Sequence, residues 1–159
     1  MLIIDGYNLL RAVQNLTEQS FNITDVQLCS ILSEYLYRIK KKGSIVFDGT
    51  GPRDKTAFNN LYNLEVIFSG SSREADDIIE KLVLEDTAPK RLIVVSSDRR
   101  VKTAANKRKA TAVDSIDFWM EAIKTIEKKR ERNVEPLAKF TGISEVETEY
   151  WLKVFGLLK

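Results

Sequence analysis

No histidine occurs anywhere in the 159 residues of this chain. That absence removes the imidazole from general acid–base chemistry, nucleophile activation and metal ligation at one stroke. Zinc enzymes and Ser-His-Asp hydrolases are thereby excluded. Cysteine is nearly absent too. The one thiol, Cys29, rules out an intramolecular disulfide. It lies in a helical run with Leu28, Leu32, Tyr35, Leu36 and Ile39, where it reads as a small buried hydrophobe rather than a reactive group. No stretch approaches the ~20 apolar residues that span a bilayer. Met1 leads straight into a strand-like run without a basic, apolar and cleavable leader. A soluble, cytoplasmic protein without a membrane partner is expected. Internal repeats and low-complexity stretches are also lacking.

What the chain does have is a hydrophobic content of 43%, enough for one substantial core, and acidic side chains where its apolar runs end. LIID closes at Asp5, IVFD at Asp48 and VVSSD at Asp98, while EADD places Asp76 and Asp77 at the start of a helical pattern. Strands are expected at about 1–5, 44–48, 64–69, 91–97 and 110–113, alternating with helices. Thr24 to Gln27 forms a capping box for a helix that stops at Lys42-Gly43. Ser71 to Glu74 forms a second one, ahead of Ile78, Ile79, Leu82 and Val83. A third helix starts at or just after Asp98, and a long one runs from Ser115 to Arg132. Strands alternating with helices imply a three-layer α/β fold around a mainly parallel sheet of about five strands. The domain spans 1–132. An extension over 133–159 reads as two short helices, one with Pro136 near its start and Gly142 as its stop, the other capped by Ser144 to Glu147. Its apolar residues Leu137, Phe140, Tyr150, Trp151, Val154 and Phe155 pack on the parent domain or meet a partner.

In such a sheet the strand C-termini share one rim, so the five carboxylates converge. Two like charges about 4 Å apart repel by roughly 4 kcal/mol at an effective dielectric of about 20. A divalent cation is the simplest remedy, and without histidine or an activated thiol it is also the best route to hydrolysis. Oxygen ligands suit Mg²⁺ or Mn²⁺. Asp5 is exposed by the turn through Gly6, Asn8 offers an amide to the same cleft, and Asp76 is preferred over its neighbour Asp77, which points about 100° away. Each residue also has a plainer role open to it: loop bonding for Asp5 and Asn8, helix-dipole pairing for Asp76 and Asp77, and a helix N-cap for Asp98.

Charge is unevenly spread. Residues 1–98 carry 11 Lys/Arg against 14 Asp/Glu, residues 99–132 carry 11 against 5, and residues 133–159 carry 3 against 4. A basic flank beginning right after Asp98 lets a polyanion approach an acidic centre, with Arg99, Arg100 and Lys102 as the candidate phosphate contacts; the KKRER run at 128–132 reads as a solvated helix face. Gly49-Thr50-Gly51-Pro52 lacks the third glycine of GxGxxG and the GK[ST] ending of a P-loop, which leaves Thr50, Arg53 and Lys55 on a loop rather than in a nucleotide site. Tyr7, Phe58, Tyr62 and Trp119 are either core residues or stacking platforms for single-stranded nucleic acid.

The order DGYN, VFDG, EVIFS, EADDIIEKL and VVSSD resembles the YacP-like bacterial type of NYN-domain proteins, within the wider PIN-like nuclease fold. The resemblance covers roughly residues 1–132. It implies an α/β/α sandwich and a metal-dependent endoribonuclease, with Asp5, Asn8, Asp76 and Asp98 as catalytic residues, Asp5, Asp76 and Asp98 as metal ligands, and Asp48 and Asp77 in support. The substrate implied is single-stranded or ribosome-associated RNA. Many PIN-like domains place a further acid just after the fourth-strand aspartate; here Arg99 and Arg100 stand there, which favours one firmly held ion over two. Three other readings remain: an RNA-binding or protein adaptor that has kept the fold, a phosphotransferase using Asp5, which lacks the expected Asp-x-Asp, and a receiver-like domain, which lacks a second acid beside Asp5.

Overall fold

A computed structural model describes residues 1–16 and 22–133, with side chains to residue 128. The elements in chain order are β1 (Leu2–Asp5), α1 (Gly6–Asn15), α2 (Asp25–Ile39), β2 (Gly43–Phe47), α3 (Thr56–Asn59), β3 (Leu64–Phe68), α4 (Ala75–Glu85), a 3₁₀ turn at Pro89–Arg91, β4 (Ile93–Val95), α5 (Arg99–Lys107), β5 (Thr111–Val113) and α6 (Ser115–Asn133). The five strands lie in the order β3-β2-β1-β4-β5, and every pairing is parallel.

The apolar runs form central strands because both of their faces are covered. Alternate residues go to opposite layers: Leu2, Ile4, Ile45 and Phe47 pack with α1, α2 and α6, whereas Ile3 and Val46 pack with α4 and α5. The expected three-layer α/β architecture is therefore present. Cys29 is fully buried, as its pattern indicated.

The differences lie at element ends. The segment after Asp5, read as a turn, is instead a helix that begins at once with Gly6 and buries Leu9, Leu10 and Val13. A side chain at Gly6 would meet the Phe47 ring at 2.5 Å, so only glycine lets helix follow strand this closely. The Thr24–Gln27 capping box forms as expected, with bonds of 3.0 and 3.2 Å. The glycine stop does not: α2 ends on Lys40 in the left-handed region (φ 56°), with the Lys41 amide returning to the Leu36 carbonyl, and Gly43 opens β2. The Ser71–Glu74 box is also corrected. Glu74 is the N-cap of α4, and its amide donates to Asp77 Oδ2 at 3.1 Å. The strand expected at 91–97 is shorter because Pro89 starts a 3₁₀ turn. The two tail helices, the packing of their apolar residues, and the side chains of the KKRER run beyond residue 128 lie outside the described residues.

Candidate functional site

The strand order fixes where a site can form. From β1 the chain steps outward to β2 and β3, then returns to place β4 on the other side of β1. Helices on either side of such a switch diverge and leave a crevice at the strand C-termini. Asp5 ends β1 and Asp98 follows β4, so these two aspartates flank the crevice. Asp5 shares its face with Ile3 and so leaves the sheet on the side of α4 and α5. Asp76 stands in the first turn of α4 and Asp98 caps α5.

Small polar groups join these pieces. Ser96, buried, donates its hydroxyl to Asp5 Oδ2 at 3.0 Å, and the Asp98 amide donates to Ser96 Oγ at 3.0 Å. One serine thus fixes the relative positions of two carboxylates. Asp98 caps α5, accepting from the Arg100 amide at 2.8 Å. Asn8, in the first turn of α1, accepts through Oδ1 from the Ser97 amide at 2.9 Å and from Ser115 Oγ at 2.6 Å, tying α1 to the β4 loop and to the start of α6. Asp48 accepts from the Ala75 amide at the N-terminus of α4. The tasks of Ser96, Ser97 and Ser115 as anchors of the site were not evident from the sequence. The usable signal was the Ser96-Ser97 pair immediately before Asp98.

Electrostatics shows that the acids share one field. Burial raises the Asp5 pKa from 3.8 to about 6; the Ser96 hydrogen bond works against this, and the charges of Asp76 and Asp98 add to it. Asp76 is raised by its own burial and then by Asp98, with Asp48 and Glu74 adding and Arg100 opposing. Asp5, Asp48, Asp76 and Asp98 are therefore brought together. Asp77 is not. Its carboxylate is held low by the Glu74 amide and by Arg100, whose Nη2 lies 2.8 Å away.

The basic flank is only partly uncommitted. Arg100 also donates to Glu80 at 2.7 Å, so it clamps α5 to α4, and Lys102 pairs with Asp114. Arg99 is exposed and has no ion pair among the described residues. It lines a groove of about 600 Å³ between α4 and α5, together with Leu84, Thr103, Ala104 and Lys107. A second cleft, of about 570 Å³, adjoins Asp48 on the far side of β1 and is lined by Tyr7, Asp25, Thr50, Asp54 and Phe58. Of the aromatic candidates, Trp119 (0% exposed) and Phe58 are core and Tyr7 packs edge-on against Phe47 at 5.0 Å, while Tyr62 stands 72% exposed at the opposite end of the sheet.

The donor set suits a hard divalent cation: four oxygen-bearing acids, no nitrogen or sulfur ligand, and carboxylates that raise one another's proton affinity. Among the described residues no three acids close on a single ion by themselves. Mg²⁺ does not require that, since it characteristically keeps several waters and takes one or two carboxylates.

Comparison with known proteins gives the family. The chain is similar to Rae1 (YacP) from Bacillus subtilis, with a TM-score of 0.66 and 26% identity over 98% of this chain and 92% of that one. A tryptophan-to-leucine mutant of the same protein gives 0.64 and 27% over 97% and 91%. No curated protein matches the chain in sequence. The profile of the YacP-like NYN domain matches residues 2–149, reaching past the point where sequence reading found family motifs. The chain belongs to the YacP-like NYN domain family, a branch of the PIN-like nucleases.

Proposed function

We propose that this protein is an endoribonuclease that hydrolyses RNA phosphodiester bonds with one divalent cation, Mg²⁺ or Mn²⁺, held by Asp5, Asp76 and Asp98. The supporting observation is convergence: carboxylates from four separate segments come to the sheet's switch point, where burial raises the Asp5 pKa to about 6 and the charges of Asp76 and Asp98 add to that rise. When bound, such a cation lowers the pKa of a water and stabilises the charge that develops on the leaving oxygen.

The chain's own residues do the rest. Ser96 holds Asp5 and the Asp98 backbone in register. Asp48 anchors α4 and so positions Asp76. Asn8 is fixed by its carbonyl oxygen, which leaves its amide to face the cleft as a donor to a phosphate oxygen. Asp77 acts at a remove, holding Arg100 and the start of α4. Arg99 guides the strand by its phosphates, a contact that carries no base specificity. Arg100 and Lys102 add positive potential from their fixed positions. The substrate is single-stranded RNA, free or ribosome-associated, because the crevice is open and the flank is basic on one side.

The test is cleavage of labelled single-stranded, structured and ribosome-bound RNAs with Mg²⁺ or Mn²⁺, set against EDTA and Asp5→Asn. Cuts that need both the metal and Asp5 support the proposal. Cutting that survives Asp5→Asn, or metal binding that Asp5→Asn leaves intact without any cutting, points to an RNA-binding adaptor or to another site.

A further inference from the structure

The rim opposite the carboxylates is as basic as the catalytic rim is acidic. Backbone bonds lay out its loops side by side: the Gly43 amide reaches the Asn63 carbonyl, Leu2 reaches Lys42, Ile93 reaches Met1, and Thr111 reaches Leu92, at 2.9–3.1 Å. The segments that enter β3, β2, β1, β4 and β5 therefore stand in a row. Along that row lie Lys40, Lys41, Lys42, Lys90, Arg91 and Lys109, all exposed, none of them in an ion pair among the described residues. The Met1 amine sits midway. The nearby acids are Glu65 on β3 and Glu85 and Asp86 at the end of α4; Asp86 Oδ1 is engaged by the Ala88 amide at 2.7 Å. Helix dipoles account for Lys40 and Lys109, which follow the C-termini of α2 and α5. They do not account for Lys42, Lys90 or Arg91, which precede strands. At the β3 end of the row two exposed rings, Tyr37 (56%) and Tyr62 (72%), lie 5.6 Å apart with their planes tilted by 48°.

We propose that this belt is a second RNA-binding surface, which holds the part of a long RNA that lies outside the catalytic crevice. Lysines in a row with an exposed aromatic pair are the chemistry of sequence-independent single-strand binding, cations tracking phosphates and rings stacking bases. The inference rests on RNA as the substrate. The five residues of β2 put about 16 Å between the two rims, so a short oligonucleotide seated at Asp5 does not reach the belt and a long one does.

The experiment measures binding in EDTA, where nothing is cut, to labelled single-stranded RNAs of a few and of several tens of nucleotides. Wild type is compared with Lys41→Glu/Lys90→Glu/Arg91→Glu and, separately, with Tyr37→Ala/Tyr62→Ala. For long RNA the triple variant is expected to lose at least tenfold in affinity, and its dependence of log K on log salt to flatten by about 2, at roughly 0.7 per contact. The tyrosine variant is expected to bind long RNA roughly fivefold or more weakly. Short RNA binds all three alike. Unchanged long-RNA affinity and salt slope in the triple variant overturn the belt, even if metal-dependent cleavage is intact. So does a wild-type belt that binds acidic vesicles or polyglutamate but not RNA. Length-dependent binding through the belt, with no cleavage once Mg²⁺ or Mn²⁺ replaces EDTA, upholds it and sinks the nuclease reading instead.

Discussion

Asp5→Asn separates the cost of the acidic cluster from its chemistry. Asp5 is 7% exposed, and its pKa is raised from 3.8 to about 6, chiefly by burial. The native state therefore binds this proton more tightly than the unfolded chain does. Stability falls as pH rises from about 4 to about 6, and the loss is complete above that window. A tenfold change in proton affinity is worth about 1.4 kcal/mol, so the full effect is about 3 kcal/mol against the metal-free protein at neutral pH. Asparagine keeps the Ser96 hydrogen bond and carries no charge. In urea titrations of the metal-free protein between pH 4 and 8, the stability of Asp5→Asn minus that of wild type is expected to grow by about 3 kcal/mol. The difference curve isolates this site from other titrating groups. Adding Mg²⁺ or Mn²⁺ at about 100 times its Kd is expected to return about 2.7 kcal/mol to wild type and little to the variant. Parallel stability curves for the two proteins would refute the argument, because they would mean that Asp5 is neither desolvated nor crowded by Asp76 and Asp98.

Asp98→Asn should leave stability within about 0.5 kcal/mol, since asparagine caps α5 as well as aspartate does, while abolishing metal-dependent cleavage; denaturation and gel assays on one preparation check both. Gly6→Ala should cost about 1–3 kcal/mol, because the new methyl meets the Phe47 ring at 2.5 Å and the Val46 carbonyl at 2.8 Å, and its cleavage rate should fall as Asp5 is displaced. Arg99→Ala should flatten the salt dependence of RNA binding by about 0.7, whereas Lys102→Ala, whose amine already pairs with Asp114, should change it less. Trp119→Ala should cost about 3–5 kcal/mol with no selective loss of RNA affinity, since the ring is wholly buried; a folded variant that binds RNA poorly would restore Trp119 as a stacking residue.

Much of the fold was legible because parallel strands buried on both faces must be continuously apolar, and LII, IVF and IVV are. Helix α1 was not legible, because a glycine and an aspartate after a strand suggest a turn. What makes that segment helical is tertiary: Leu9, Leu10 and Val13 find the core shared with α2 and α6. The end of α2 was misplaced for a related reason. Gly43 looked like a helix stop, yet it is the residue that lets β2 pass β1, where a side chain would come 3.2 Å from the Leu2 carbonyl.

At the site, the positions of the acids could be read from strand ends, whereas their availability could not, since availability depends on which cation or amide each one meets. Asp76 and Asp77 are chemically identical neighbours. One shares a field with Asp5 and Asp98; the other is spent on the Glu74 amide and Arg100. The same selection operates on the bases, where Arg100 is drawn into the α4 clamp and Arg99 is left exposed. Arg100 thus occupies the region where many PIN-like domains carry a further acid, and it opposes the proton affinity of Asp76 instead of adding to it. A cation beside Asp76 makes a second divalent ion there electrostatically unfavourable. For the cation proposed between Asp5, Asp76 and Asp98, these charges consequently favour one ion over two. Calorimetry should find a single site in wild type, and a second should appear only in Arg100→Ala.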